Sequence, residues 1–299
     1  VVAPDRDKLR RAFGLDRAAR IASPPAASAP RADLRTFLQQ RREQFVGAPR
    51  PRVELPPANE VVTAHGPLWR RELCYPPDHV HGRTRLDAVR TLDGERLAAI
   101  AKEPAFATLD AAQCLFLDTE TTGLAGGAGT VVFAYGLAFF RGDELVVEQL
   151  FLRDFGEELA MLRHVAARLR EFPVPVTFVG KSYDRHRIAA RMAVHKIRSR
   201  VLTAPHLDLY HVVRRAHGKQ LPDARLKTVE AHLLGLHRSD DLPGSEAPAA
   251  FLDWIRDRSG PVDRVLEHNR LDVLSLVALL GLLAGRCAPD TGHAPAPRW

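Results

Sequence analysis

Two carboxylates stand two residues apart in LFLDTETTG (115–123), at the end of an apolar run. Residues i and i+2 of a strand share a face, about 6.7 Å apart along the chain, so Asp118 and Glu120 are aimed at one spot. Carboxylates that close resist double ionisation unless something positive neutralises them, and a divalent cation is the strongest such partner. An isolated Asp-x-Glu is ordinary loop chemistry after a strand, so the weight falls on the acids downstream. Asp184 closes GKSYD (180–184) at a strand-to-helix junction, where α/β folds carry function and where an N-cap Asp is equally at home. His268 and Asp272 are four residues apart in a strongly helical segment and lie on one face. By themselves they also make a common surface pair. The charge of the four carboxylates would be offset by two divalent ions. Paired metals about 3.5–4 Å apart clamp the attacking and leaving oxygens of an in-line phosphoryl displacement. An imidazole at position 268, with an ordinary pKa of about 6.5, would take a proton from the attacking water.

The elements that must position these side chains are legible from periodicity. Residues 114–117 are apolar throughout and read as a buried strand, with 131–140 and 145–152 as antiparallel hairpin partners about the turn at Arg141-Gly-Asp. In 157–170, Leu159, Leu162, Val165, Ala166 and Leu169 recur at helical intervals, giving a crossover helix to a strand at 174–179. A basic helical run follows at 185–200, then a short strand end at 206–209 and helical segments around 226–236 and 249–258. The last helix runs from 261 to about 285, with Leu271, Leu274, Val277 and Leu280 on its packing face. Asp208 is expected to cap the helix after it. The glycine cluster AGGAGT (125–130) reads either as a hairpin loop or as backbone that lets a nucleotide approach the two acids, with neither favoured. His79-x-His81 lacks further ligands nearby, so a loop or packing role is expected rather than a metal.

Together these motifs resemble the DEDD 3′–5′ exonucleases of the ribonuclease H-like superfamily, and more narrowly the YprB ribonuclease H-like group of bacterial proteins. The match rests on FLDTETTGLAGGAGT (116–130), GKSYD (180–184), HLDLYH (206–211), RLKTVEAHLLGL (225–236), DDLPG (240–244) and EHNRLDVLSL (267–276), with RELCYPPDHVHG (71–82) looser. The resemblance implies an α/β ribonuclease H-like fold, a mixed sheet of antiparallel hairpin strands and parallel strands flanked by helices. It implies that Asp118, Glu120, Asp184 and Asp272 bind two Mg²⁺ or Mn²⁺ ions and that His268 is the general base. Thr119, Thr121, Gly123, Lys181, Ser182, Tyr183 and Asn269, beside these residues, are expected to meet the substrate. Two positions depart from the family pattern. His268 lies four residues before Asp272, where the His branch usually has five, and Val179 stands where many relatives have Asn. The function expected is metal-dependent hydrolysis of DNA or RNA from a 3′ end. The alternative is a catalytically weak nucleic-acid-binding protein that recruits repair or processing partners.

Composition sets the surroundings. The 299 residues allow one sizeable domain plus extensions, expected as a basic tail at 1–60, a lead-in segment at 61–110, the catalytic domain at 111–285 and a C-terminal tail at 286–299. Residues 1–60 hold 12 Lys and Arg against 7 Asp and Glu, a net of +5 out of the chain's +7. Their SPPAASAP (23–30) and GAPRPRVELPPA (47–58) stretches read as linker. Such a tail binds phosphates, docks a protein partner, or only solubilises. Lys181, Arg185, Arg187 and Arg191 cluster around Asp184, where some would meet substrate phosphates. Three cysteines without Cys-x-x-Cys spacing point to a reducing, cytoplasmic setting. The Arg-rich N-terminus shows no signal peptide, and the apolar stretch 271–284 is shorter than a bilayer span, so no membrane association is expected.

Overall fold

A computed structural model describes residues 51–123 and 129–286. In chain order the strands are β1 (Asn59–Thr63), β2 (Gly66–Tyr75), β3 (Val80–His81), β4 (Thr84–Arg85), β5 (Cys114–Thr121), β6 (Val132–Arg141), β7 (Glu144–Phe151), β8 (Val174–Thr177) and β9 (Leu207–Asp208). The principal helices are α1 (Gly94–Ala101), α2 (Glu158–Glu171), α3 (Asp184–Val194), α4 (Leu209–His217), α5 (Ala247–Asp257) and α6 (Val262–Arg286). Seven strands form one sheet in the order β1-β2-β7-β6-β5-β8-β9. The hairpin strands are antiparallel, while β8 runs parallel to both β5 and β9.

The sheet is covered on both faces, so β5 is apolar without alternation. Cys114 and Phe116 pack with Leu97 and Ile100 of α1, Val212 and Val213 of α4, and residues 273–284 of α6. Leu115 and Leu117 point the other way, into a core with Met161 and Val165 of α2, Ile188 of α3 and Phe251 of α5. Strand period two therefore sends Asp118 and Glu120 toward the α6 side. By length and composition α6 can cross a membrane, yet 67% of its most apolar stretch is buried inside the protein. It is the central helix of one core layer, and its hydrophobicity is accounted for by that packing.

The sheet reaches back beyond the expected catalytic domain of 111–285. Residues 59–75, assigned to the tail and lead-in, add β1 and β2 to the same sheet, β2 pairing with β7 along seven positions. Val53 and Leu55, assigned to the tail, pack on the core, and Val53 N donates to Arg258 O at 2.8 Å. The strand expected at 174–179 ends at Thr177, because Val179 takes a left-handed φ of +67° that no strand accommodates. The helical run 185–200 stops at Val194, and Lys196 turns left-handed at φ +54°. Most of the glycine cluster, residues 125–128, lies outside the described residues. At its base Thr122 N donates to Val131 O and Val131 N donates to Thr122 Oγ1, both at 3.0 Å, closing a connection from β5 to β6.

Candidate active site

The end of β5 is brought against α6 by a missing side chain. Gly136 of β6 sits opposite Asp118 in register, and a Cβ there would lie 2.5 Å from Asn269 Oδ1 and 2.6 Å from Val273 Cγ2. Only glycine lets α6 come this close. Asn269, fully buried, then donates from Nδ2 to Asp118 Oδ2 at 2.8 Å, while its own Oδ1 accepts from Gln149 Nε2 at 3.3 Å. Gln149 also donates to Leu266 O at 2.6 Å, which fixes the amide orientations along this chain. The expectation that Asn269 meets substrate is corrected by this enclosure. It orients Asp118 instead.

Asp184 reaches the same place from the opposite face. It begins α3 and is buried, with Thr119 Oγ1 donating a short hydrogen bond to its Oδ1. A Cβ on Gly180 would fall 2.7 Å from Asp184 Oδ2, so this loop position too must be bare. Asp208 supports the loop, accepting from Val179 N at 2.9 Å and Lys181 N at 3.0 Å, and it caps α4 through Tyr210 N at 3.1 Å. The expected cap is therefore present, with a second duty beside the site. Tyr183 OH lies 2.9 Å from Thr121 Oγ1 and donates to Gly123 O at 2.9 Å, pinning the exit of β5. Arg187 lies 4.8 Å over the Tyr183 ring.

Asp272 and His268 complete the cluster from α6. His268 Nε2 is 3.6 Å from Asp272 Oδ2, and His268 Nδ1 is 2.7 Å from Asp241 Oδ1. Arg238, almost fully enclosed, places Nη1 at 2.6 Å from Asp272 Oδ1 and 3.6 Å from Asp241 Oδ2, and it is anchored by a short contact to the buried Glu230. Asp241, Arg238 and Glu230 are the residues that sequence reasoning missed. The DDLPG motif marked the right loop, yet no spacing tells which acid meets an imidazole 27 residues on.

The electrostatics follow from this crowding. Burial raises Asp118 well above the usual carboxylate range, and the negative charges of Asp272, Glu120 and Asp184 raise it further. Glu120 is raised in the same way, by burial and then by Asp272, Asp184 and Asp241. Asp184 is pushed up to about 6 by burial, against the opposing pull of the Thr119 hydrogen bond. Of the four acids, only Asp272 has a cationic ion-pair partner among the described residues. No three His, Cys, Asp or Glu side chains among those residues already stand close enough to hold an ion together. The donor set still suits a hard cation. Four carboxylates short of positive charge are what Mg²⁺ or Mn²⁺ takes, and Mg²⁺ uses one or two carboxylates while keeping waters or substrate oxygens.

Of the basic residues expected around Asp184, Arg191 is paired to Glu158 at 2.6 Å and Lys181 lies 3.8 Å from Glu103. Ser182 is exposed and donates to Val179 O at 3.0 Å. Lys181, Ser182 and the exposed parts of Arg185 and Arg187 form the rim beside Asp184. The His79-x-His81 pair behaves as expected of a packing element: His81 is buried with Nε2 at 2.8 Å from Ser275 Oγ, and burial lowers it to about 4.

Comparison with known proteins gives the family. The family model described as the RNase_H superfamily matches residues 115–284. The chain is 32% identical over 232 residues to the uncharacterized protein YprB of Bacillus subtilis (strain 168), covering 75% of this chain and 55% of that relative. It thus spans about half the length of the curated relative it matches. Among solved structures it is similar to the family B DNA polymerase from the hyperthermophilic archaeon Pyrobaculum calidifontis. That likeness has 18% identity and a TM-score of 0.43 over 56% of this chain and 24% of the other, too slight to bear on function.

Proposed function

The chain belongs to the ribonuclease H superfamily, and from that premise we propose that it is a metal-dependent nuclease, hydrolysing phosphodiester bonds of DNA or RNA from a 3′ end. The observation that carries this reading is the convergence of Asp118, Glu120, Asp184 and Asp272 from two faces of the sheet and from α6, at a cost in buried negative charge. A protein that only binds nucleic acid has no chemical need for such a cluster. Asp118, Glu120, Asp184 and Asp272 would hold two Mg²⁺ or Mn²⁺ ions, which supply charge neutralisation for the attacking and leaving oxygens.

The remaining work falls to the chain's own groups. Asn269 holds Asp118 in one rotamer and Thr119 does the same for Asp184, so the carboxylates need not reorganise during reaction. His268 takes the proton of the attacking water at Nε2. Nε2 faces the loop at Gly244, where an added Cβ would already stand in van der Waals contact with it, at 3.8 Å. Lys181, Ser182, Thr121 and Gly123 would meet the strand, while the Tyr183 hydroxyl is taken up in fixing the β5 exit.

The test is incubation with 3′- and 5′-labelled DNA and RNA strands in Mg²⁺, Mn²⁺ or EDTA. Stepwise shortening from the 3′ end that stops in EDTA is expected. Binding without any hydrolysis in either metal would favour the recruiting role instead.

A further inference from the structure

His268 sits in a closed ring of charges. Asp241 Oδ1 lies 2.7 Å from Nδ1, and Asp272 Oδ2 lies 3.6 Å from Nε2. One nitrogen, Arg238 Nη1, touches both acids, at 3.6 Å and 2.6 Å. Arg238 and Asp241 are only 4% and 7% exposed in their side chains, and Arg238 is tethered from behind by the fully buried Glu230. None of these contacts depends on substrate.

A carboxylate only accepts hydrogen bonds, so the imidazole nitrogen facing Asp241 must carry the proton. In the neutral ring the other nitrogen then keeps its lone pair, 3.6 Å from Asp272 Oδ2 and on the side of Gly244. We propose that Asp241 is a positioning residue that locks His268 as the Nδ1–H tautomer, with Nε2 as the proton acceptor, and that Arg238 holds Asp241 and Asp272 at fixed places on either side of the ring. This rests on the reading of His268 as general base. It also gives a physical account of the four-residue His-to-Asp spacing: the loop acid, rather than the helix alone, sets the direction of the ring.

Arg238 makes the isosteric variant informative. A guanidinium only donates, so in Asp241→Asn the amide oxygen turns to Arg238 and the NH₂ turns to His268 Nδ1. Nδ1 must then accept, and the proton moves to Nε2, where it blocks the base.

The experiment is a long-range ¹H–¹⁵N correlation spectrum of ¹⁵N-histidine-labelled, metal-free protein, recorded in alkaline buffer. His268 is identified among the 13 histidines by the signals lost in His268→Gln. Wild type should show a protonated Nδ1 and a bare Nε2, and Asp241→Asn should show the reverse. In parallel, kcat of Asp241→Asn should fall at least about 10²-fold with KM nearly unchanged. A wild-type His268 protonated at Nε2 overturns the proposal, even if Asp241→Asn does not fold. So does a variant with unaltered tautomer, or one whose tautomer reverses while kcat stays at the wild-type level. Lack of hydrolysis by the wild type with a protonated Nδ1 would sink the nuclease reading alone, since the tautomer is read without turnover.

Discussion

Asp118 and Asp184 are each held in place by an uncharged partner, Asn269 and Thr119, and left short of positive charge, and this combination sets what single substitutions do. The pKa of Asp184 in the folded chain is about 6 against an ordinary 3.8, so between those pH values the folded form keeps a proton that the unfolded chain has released. Stability in EDTA should therefore fall as pH rises through that window and stay low above it, Asp118 and Glu120 acting in the same direction. Asp184→Asn removes the penalty: in EDTA it should be more stable than wild type by of the order of 2 kcal/mol at pH 7.5, and about equal at pH 4. Urea denaturation at the two pH values checks this, and an equal difference at both would contradict it. Divalent ions should restore stability to the wild type, by about 2.7 kcal/mol at a hundredfold excess over Kd, and far less to the variant. Asp118→Asn should remain folded and lose hydrolysis altogether. His268→Ala should lower turnover by ~10²–10⁴-fold with little change in substrate binding, and near-normal turnover would remove it from the mechanism.

Among the elements, two backbone positions decide whether the site assembles. Gly136→Ala inserts a methyl group where Asn269 and Val273 already stand, so α6 must retreat from β6. Hydrolysis should drop and the melting temperature should fall, by roughly 2–12 °C for 1–3 kcal/mol of overpacking. Val179 is the opposite case. A β-branched residue at φ +67° is strained, whereas Asn tolerates the left-handed region, so Val179→Asn should stabilise the chain by about 1 kcal/mol. A lower denaturation midpoint would show that the Val side chain packs better than its exposure suggests. Sequence periodicity exposed β5, β6, β7, α2 and α6 because their buried faces are apolar. It concealed β2, whose centre reads Arg70-Arg-Glu72, because here the buried partners are charged: Glu148 of β7 is fully enclosed and meets Arg70 at 3.5 Å, Arg168 at 3.0 Å and His164 at 2.8 Å. The same limit hid Arg238 and Asp241. Two carboxylates two apart on a strand, or a His and an Asp four apart on a helix, announce their face, but ion pairs across loops follow from the tertiary fold alone.

For the whole chain, the point at which the described compact unit begins matters more than the net charge. The compact unit begins at Pro51, and Val53 and Leu55 pack on its core, so a truncation meant to remove only the tail must end at residue 50. Those 50 residues carry 11 Lys and Arg against 5 Asp and Glu, a net of +6. If they neutralise phosphates on a single strand, each contact contributes about 0.7 to the slope of log affinity against log salt. Deleting residues 1–50 should then flatten that slope by at most about 4, and weaken binding to all sequences alike. Cleavage itself should persist, because every proposed ligand and every residue that orients one lies after position 100. Deleting residues 1–60 should cost more, removing Val53, Leu55 and the first two residues of β1, and it should lower the melting temperature as well as the affinity. Measuring binding by fluorescence anisotropy from about 50 to 200 mM salt, with a thermal melt of each truncation, separates the two effects. An unchanged slope after removal of 1–50 would assign the extension to solubility or to a protein partner.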